Sequence, residues 1–589
     1  MTEYFEVHER DTAARVGELR LETPVRTPAL VDELIEDIGS EWVADREIPD
    51  SDDSTITVLP HRAFPPGTHE EVREAFDTHY PDVSFPSAAV ITPETASDCG
   101  VDVYILSTGQ SLVGHASAFV EAIIRTREAI PADTALYLPG VATPANVATL
   151  AYAGVDLVDT TRAVIKGSQG KCLATDGEYF LEDLDELPGN PGSVGDSMRD
   201  DSGQLTREAC VAHNERALRA ELATVRERIR AGRLRDYIEA QARHEQWLTA
   251  TFRRLDDQYG YLEQRTPVLR RSEITAASDD TMRRVEIQRY ADRVTSRYRN
   301  RFSNPLVLVP CSAKKPYSES QSHAQFHDAI QFRAHLCSMT SPIGVVPQEL
   351  ELTYPAQQYD TVVTGRWTAT EKEFVSRILE AYLERNEYPR IIAHVPGEGY
   401  REICERVESA LGLEFEYTVP DGAHPTSTEA LANLASTLSS ELKYGKRERE
   451  HNTIRAIADY QFGEGAGDDL FPEFQTEAHY PKLRVRDTDG EQLAMMVPLY
   501  GVLSLTLEGA RRWVESDVPV RRVEIDDFVP HGSVLAPGVV AASEEIRPGD
   551  EVVIEGPQAF GVGRAEMSGP EMVESTRGIA SEVRHVEEL

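Results

Sequence analysis

The 589-residue sequence predicts an α/β multidomain protein that ends in a small β-barrel. Three observations carry that prediction. Strand-like and helix-like segments alternate through the N-terminal third, and they alternate again over residues 305–420. After residue 516 they give way to short strands separated by turn residues.

Charge narrows the class of protein. The formal charge is −40, only eight of the 60 basic residues are Lys, and the acids are spread along the whole chain. A hydrophobic content of 40% with recurrent strand and helix patterns excludes a disordered acidic chain. A folded protein with a solvated acidic surface remains, of the kind found in salt-accumulating microbes. At such salt the Debye length is about 3 Å, so self-repulsion is screened. The same screening leaves a nucleic-acid partner open. Six cysteines (Cys99, Cys172, Cys210, Cys311, Cys337 and Cys404) lie far apart with no C-x-x-C pair, which predicts reduced thiols. The N-terminus does not resemble a signal peptide, and no apolar run approaches the roughly 18 residues of a membrane span. A cytoplasmic protein with no membrane partner is expected.

In chain order, Ala88–Thr92, Val103–Leu106, Ala135–Leu138 and Val155–Val158 read as strands, with helices near 115–128 and 144–153. That spacing implies a parallel sheet, either a barrel or a doubly wound one. Asp159 follows the last of these strands, where a barrel keeps its chemistry. Residues 184–204, rich in Gly, Pro, Asp and Ser, read as a loop. A helical pattern runs from Arg207 to Arg254, interrupted near Gly232, and sets Cys210 one turn from His213. Two such residues are too few for a closed metal site. Around 280–300 a helix carries Arg289, Arg293 and Arg297 at i, i+4 spacing, either a solvated face or a stripe for phosphate contact.

The second alternating unit contains the densest cluster of reactive groups. An apolar run, Pro305–Pro310, reads as a buried strand, and Cys311, Lys314, Lys315, Tyr317, Ser320 and His323 follow within fourteen residues. The loop after such a strand is where an open α/β sheet places its ligand crevice. Strands at Ile343–Val346, Thr361–Thr364 and Arg390–His394 complete the unit, with a helix at about 370–385. His394 and the Pro396–Gly399 turn belong to the same sheet edge. Glu349, Tyr354, Asp360 and Trp367 are secondary candidates. Residues 450–470, with Gly463–Gly467, read as a linker; a small α+β module and the final β module follow. The predicted boundaries are 1–250, 251–300 (a helical connector), 301–445 (the α/β core), 446–470 (the linker), 471–515 and 516–589.

Three stretches resemble known families. Asp527–Gly532, Ala536–Val540, Gly549–Ile554, Gly561–Gly563 and Arg577–Ala580 resemble a PUA domain, an RNA-binding module. Thr23-Pro-Val, Thr27-Pro-Ala, Gly140–Pro144 and Gly154–Asp159 look like the barrel of tRNA-guanine transglycosylases. That match implies a degenerate transglycosylase-like (β/α) barrel. It puts Asp159 at the family's nucleophile position and His213-Asn214 at its zinc histidine. The cysteine cluster expected before His213 is missing, and Val103–Gly109 lacks the aspartate expected beside the base. Zinc is therefore not expected, nor is any other cofactor, and Asp159 is expected to bind substrate or to be a vestige. The motif Pro310-Cys311-x-x-x-Lys315-Pro316-Tyr317-x-x-Ser320-x-x-His323 resembles the signature of the archaeosine synthases, archaeal paralogues of the transglycosylase.

The archaeosine synthase resemblance implies a transferase acting on tRNA that carries 7-cyano-7-deazaguanine (preQ0) at position 15. The enzyme adds a nitrogen donor, either lysine or glutamine/ammonia, to the nitrile to form an amidine. If lysine is the donor, a partner radical enzyme completes archaeosine. Cys311, Lys315, Tyr317, Ser320 and His323 are the expected catalytic set, with Asp159 and His394 toward substrate and Arg289, Arg293 and Arg297 toward RNA. Two chemical routes remain open: attack by a Cys311 thiolate to give a thioimide, or direct addition of the amine with Lys315, Tyr317 or His323 as acid. The rival readings are an active transglycosylase and a non-catalytic tRNA-binding partner. A homodimer is compatible with the sequence.

Overall fold

The computed structural model describes residues 3–37, 52–62, 64, 68–76, 80–188, 204–361 and 366–589. They fall into two compact units. The predicted 184–204 loop lies largely outside the described residues, as does most of the Thr361–Thr364 strand candidate.

The first unit comprises Met1–Thr266 with Leu535–Val539 and Met567–Ala580. Its main sheet has seven strands in the order Ala29–Leu30, Leu157–Val158, Ala135–Tyr137, Val103–Leu106, Ser87–Ile91, Ile56–Val58, Ile35–Asp37. Every neighbouring pair is parallel. The all-apolar strands are buried, as a sheet covered on its faces requires; Val103, Tyr104 and Leu106 are fully so. Among the described residues the order does not close on itself, a degenerate form of the expected barrel. Helix Val147–Ala153 is buried along its whole length and stops at Gly154 in the left-handed region. Thr206 caps helix Arg207–Arg230 through the Ala209 N–H (3.1 Å). The predicted interruption falls at Gly232, whose φ of 62° ends that helix before the next begins at Leu234.

The second unit comprises Pro267–Val534, Val540–Glu566 and Ser581–Leu589. Its central sheet runs Gly344–Pro347, His335–Thr340, Leu306–Pro310, Ile391–Ala393, Phe415–Tyr417, parallel except for the first pair. Within the middle strand, Leu306 and Leu308 face one hydrophobic cluster and Val307 and Val309 the other, which explains its unbroken apolar run. From this strand the chain goes first to 335–340 on one side and later to 391–393 on the other. Leu306–Pro310 is thus the point where strand order reverses, and beyond the carboxyl end of such a strand open α/β sheets bind their ligands.

One boundary is corrected. Residues 446–470 are not a linker but two packed helices, Lys446–Phe462 and Ala466–Leu470, the first buried from Asn452 to Phe462 save Arg455. The glycines that suggested flexibility serve packing. Gly465 turns the chain at positive φ, and a side chain on Gly467 would start 2.4 Å from the Arg455 carbonyl oxygen. The small module that follows is a four-stranded sheet with helix Leu507–Glu515, which buries Trp513 completely. A six-stranded sheet built from residues 522–588 ends the chain. Among the described residues no helix is long and apolar enough to cross a membrane.

Candidate active site

Cys311 follows the middle strand at the reversal point, half-buried, with its N–H donated to the Met339 carbonyl (3.1 Å). The segment after Ile391–Ala393 packs against it. There Gly397–Arg401 forms a π-helical turn, a geometry that recurs at functional sites. It carries Tyr400, 5% exposed, with its hydroxyl 3.3 Å from Cys311 Sγ. Trp367 packs edge-on against Tyr400 at 4.6 Å between ring centroids. Gly399 sits under that indole at φ +76°, where a Cβ would lie 3.2 Å from it. A side chain there would strain the turn.

Lys315 lies on the same loop as Cys311. Its Nζ is enclosed, has no hydrogen-bond partner among the described residues, and stands 3.8 Å over the Tyr359 ring, a cation–π contact. Burial lowers the ammonium pKa, while the charges of Cys311, Asp360 and Glu273 work the other way. Beneath the ring, the Tyr359 hydroxyl bonds Tyr317 (2.5 Å) and Thr340 (2.7 Å). Burial pushes the Tyr317 and Tyr359 phenols far above their ordinary value, so both stay neutral.

The motif divides into two layers. Cys311 is partly exposed and Lys315 lies over the Tyr359 ring, while Tyr317, Ser320 and His323 are buried. Ser320 caps helix Gln321–Ile330 by accepting the His323 N–H (3.2 Å). The fully buried His323 ring stacks on Tyr317, with Nδ1 against Ser320 Oγ (3.0 Å) and Nε2 against Ser338 Oγ (2.9 Å). Burial lowers its pKa to about 3, with the charge of His327 adding to the effect, so the imidazole is neutral with both nitrogens engaged.

Several expected site residues are placed elsewhere by packing. His394 is wholly buried, with Nδ1 on Thr418 Oγ1 and Nε2 on the Pro425 carbonyl, both at 2.8 Å. It braces the strand end and offers no atom to a substrate. Arg289 and Arg293 do not form an exposed RNA stripe. They are 5% and 6% exposed, Arg289 donating to the Pro267 carbonyl (3.0 Å) and Arg293 lying over the Tyr460 ring. Arg297 is half-buried and reaches the Tyr460 carbonyl at 3.5 Å. Of the secondary candidates, Glu349 pairs with buried His335 (2.9 Å) and is structural. Trp367 is part of the site. Tyr400 was missed; the glycine-punctuated turn after a strand at the reversal point was its only signal.

In the first unit, Asp159 is 4% exposed and accepts from the Tyr137 hydroxyl (2.9 Å), the Gly140 N–H (2.6 Å) and the Thr161 N–H (2.8 Å). His213 Nε2 is engaged by the Leu173 carbonyl (2.9 Å). Cys210 is joined to Cys172 in a disulfide, which corrects the expectation of six reduced thiols. The zinc of the transglycosylase barrel does not fit these residues. Among the described residues no group of three or more His, Cys, Asp or Glu could hold a metal ion.

Four family models match in succession. Residues 87–188 match the queuine tRNA-ribosyltransferase, 287–438 a domain of unknown function (DUF5591), 452–519 the patch-forming domain C2 of tRNA-guanine transglycosylase, and 522–586 the PUA domain. The Cys311, Lys315 and Tyr400 centre falls wholly within the domain of unknown function. The chain is 62% identical to an archaeosine synthase of Haloferax volcanii, with both chains covered in full. The chain belongs to the archaeosine synthase family. An archaeosine synthase subunit alpha of Methanosarcina acetivorans is 41% identical, again over the whole of both chains. An archaeosine synthase of Methanocaldococcus jannaschii is 31% identical over 82% of this chain and 80% of its own. Family membership makes the chain a transferase that modifies tRNA, with a transglycosylase-like part and a PUA domain. The acidic composition and the Haloferax relative both fit a halophilic origin.

Proposed function

We propose that the Cys311 centre converts the nitrile of 7-cyano-7-deazaguanine, carried at position 15 of tRNA, into an amidine. The observation that supports this most is a half-buried thiol at the reversal point of the central sheet, on the same loop as an enclosed ammonium that has no hydrogen-bond partner among the described residues. A nitrile carbon takes up a sulfur nucleophile, and the electron pair of one C≡N π bond moves to nitrogen. Lys315, whose ammonium feels the Cys311 charge, would stabilise the partial negative charge that builds up as the bond forms. A nitrogen donor then attacks the thioimide carbon, the C–S bond breaks, and Cys311 is regenerated. Direct addition of the amine is the competing route, and the engagement of both His323 nitrogens within the fold disfavours His323 as its acid.

The donor is lysine, or glutamine or ammonia; with lysine, a radical enzyme would be needed to complete archaeosine. The PUA domain would hold the tRNA. The three hydrogen bonds on Asp159 support a vestigial role for that carboxylate rather than base exchange. To test the reading, the protein is incubated with nitrile-bearing tRNA and separately labelled lysine, glutamine and ammonium, and the nucleosides are analysed by mass spectrometry. One label should enter, and Cys311→Ala and Cys311→Ser should abolish its entry. Near-normal amidine formation by both variants would remove the covalent route, and exchange of labelled guanine into tRNA would restore the transglycosylase reading.

A further inference from the structure

Beyond the motif itself, Tyr400 is the polar group placed on the reacting sulfur. We propose that Tyr400 is a catalytic proton relay between Cys311 and the substrate nitrogen, held in position by Trp367 and Gly399. The inference rests on the reading of Cys311 as the nucleophile.

The geometry carries the argument. The Tyr400 hydroxyl is 3.3 Å from Cys311 Sγ, and either atom can donate in that contact. The ring is fixed on one side by the Trp367 indole, and its backbone lies in a π-helical turn with glycine in the left-handed region at 399. The neighbouring phenols are occupied: Tyr317 and Tyr359 bond each other, and Tyr359 also bonds Thr340. His323 is closed off by two serines. The charged or titratable groups around the centre are Cys311 and Lys315 on one loop, Tyr359 and Asp360 on the strand Tyr359–Thr361, and Glu273 just before the strand Ile274–Ala276 that pairs with it.

The relay balances without an ionised tyrosine. As the S–C bond forms, the thiol proton passes to the Tyr400 oxygen, and the Tyr400 proton passes to the nitrogen that receives the π electron pair. The product is a neutral thioimide beside a neutral phenol. When a donor amine attacks the thioimide carbon, the C–S bond breaks, and the surplus amine proton returns to sulfur through the same hydroxyl. Burial and the neighbouring Cys311 raise the Tyr400 pKa, which suits a group that shuttles protons while staying neutral and would not suit a phenolate base.

The test is the donor-free rate of adduct formation between the full-length protein and nitrile-bearing tRNA, for wild type and Tyr400→Phe, across a pH series. Tyr400→Phe keeps the ring against Trp367 and removes only the hydroxyl. Its rate should fall by about 10²-fold at neutral pH, the size of one positioned proton-transfer group. The deficit should shrink as pH rises and more of the sulfur is ionised, because a thiolate has no proton to relay. A merely structural role would give a deficit independent of pH. Should Tyr400→Phe fold poorly, the wild-type protein still decides the matter: two protons moving in one step give a bowed rate dependence on the D₂O fraction. An undiminished Tyr400→Phe rate, a pH-independent deficit or a linear D₂O dependence would each overturn the relay. If Cys311→Ser also forms amidine normally, the nucleophile reading has failed; if Cys311 is essential and Tyr400→Phe is normal, only the relay has.

Discussion

The assignment of His323 as a buried, neutral brace makes a quantitative prediction about acid stability. In the folded state its pKa is held to about 3, against the 6.5 of a free imidazole. Above pH 6.5 neither the folded nor the unfolded chain binds the proton, and the ring costs nothing. As pH falls below 6.5 the unfolded chain takes up a proton that the folded chain refuses, so stability is lost. The slope averages about 1 kcal/mol per pH unit for this group between pH 6.5 and pH 5. His394 and His327, each lowered to about 4, and His451, lowered by burial, add to the same trend. His323→Gln cannot titrate and should remove one share of it. Native-state hydrogen exchange of the amides in Leu306–Pro310 and His335–Thr340 reads the free energy of this unit at each pH. A slope unchanged by His323→Gln would refute a neutral buried His323 and return it to the list of possible acids.

Three further perturbations test other parts of the account. Gly399→Ala combines a left-handed φ with a Cβ 3.2 Å from Trp367; it should cost about 1–2 kcal/mol and slow adduct formation, while Cys311 remains open to alkylation by iodoacetamide. Glu349→Ala leaves His335 Nε2 without its hydrogen-bond partner in a sealed interior, while Nδ1 stays on Tyr388, and should destabilise the fold by about 1–3 kcal/mol, measured by denaturant unfolding. Arg293→Ala should lower the melting temperature by removing the contact with Tyr460, yet leave tRNA affinity and its salt dependence as in wild type. A clear loss of salt dependence would return this helix to the RNA surface.

What could be seen in advance follows from how local each signal is. The run Leu306–Pro310 is apolar at every position because both faces of that strand are buried, and a chemistry-bearing loop after it was therefore legible. The partner of Cys311 was not, because Tyr400 is 89 residues away and reaches the sulfur through a π-helical turn with no periodic signature. The arginines at 289 and 293 misled for a physical reason. Their spacing is that of a solvated face, but Val285, Ile287, Tyr290 and Val294 are buried on the same helix, which is enclosed on more than one side. There Arg289 donates to a carbonyl and Arg293 lies over the Tyr460 ring. Gly463–Gly467 misled in the opposite sense, since glycine permits close helix packing as well as flexibility. His394 does stand at the predicted sheet edge, yet Thr418 and Pro425 occupy both its nitrogens, and only tertiary structure reveals that.

The central claim is that Cys311 bonds to the nitrile carbon. The most direct measurement mixes stoichiometric protein with nitrile-bearing tRNA in the absence of any nitrogen donor, quenches, digests both polymers and weighs the Cys311 peptide. The account predicts a peptide heavier by the deazaguanine nucleoside or its digestion remnant, which disappears when the productive donor is added before the quench. An unmodified Cys311 peptide from a preparation that forms amidine once the donor arrives would contradict it.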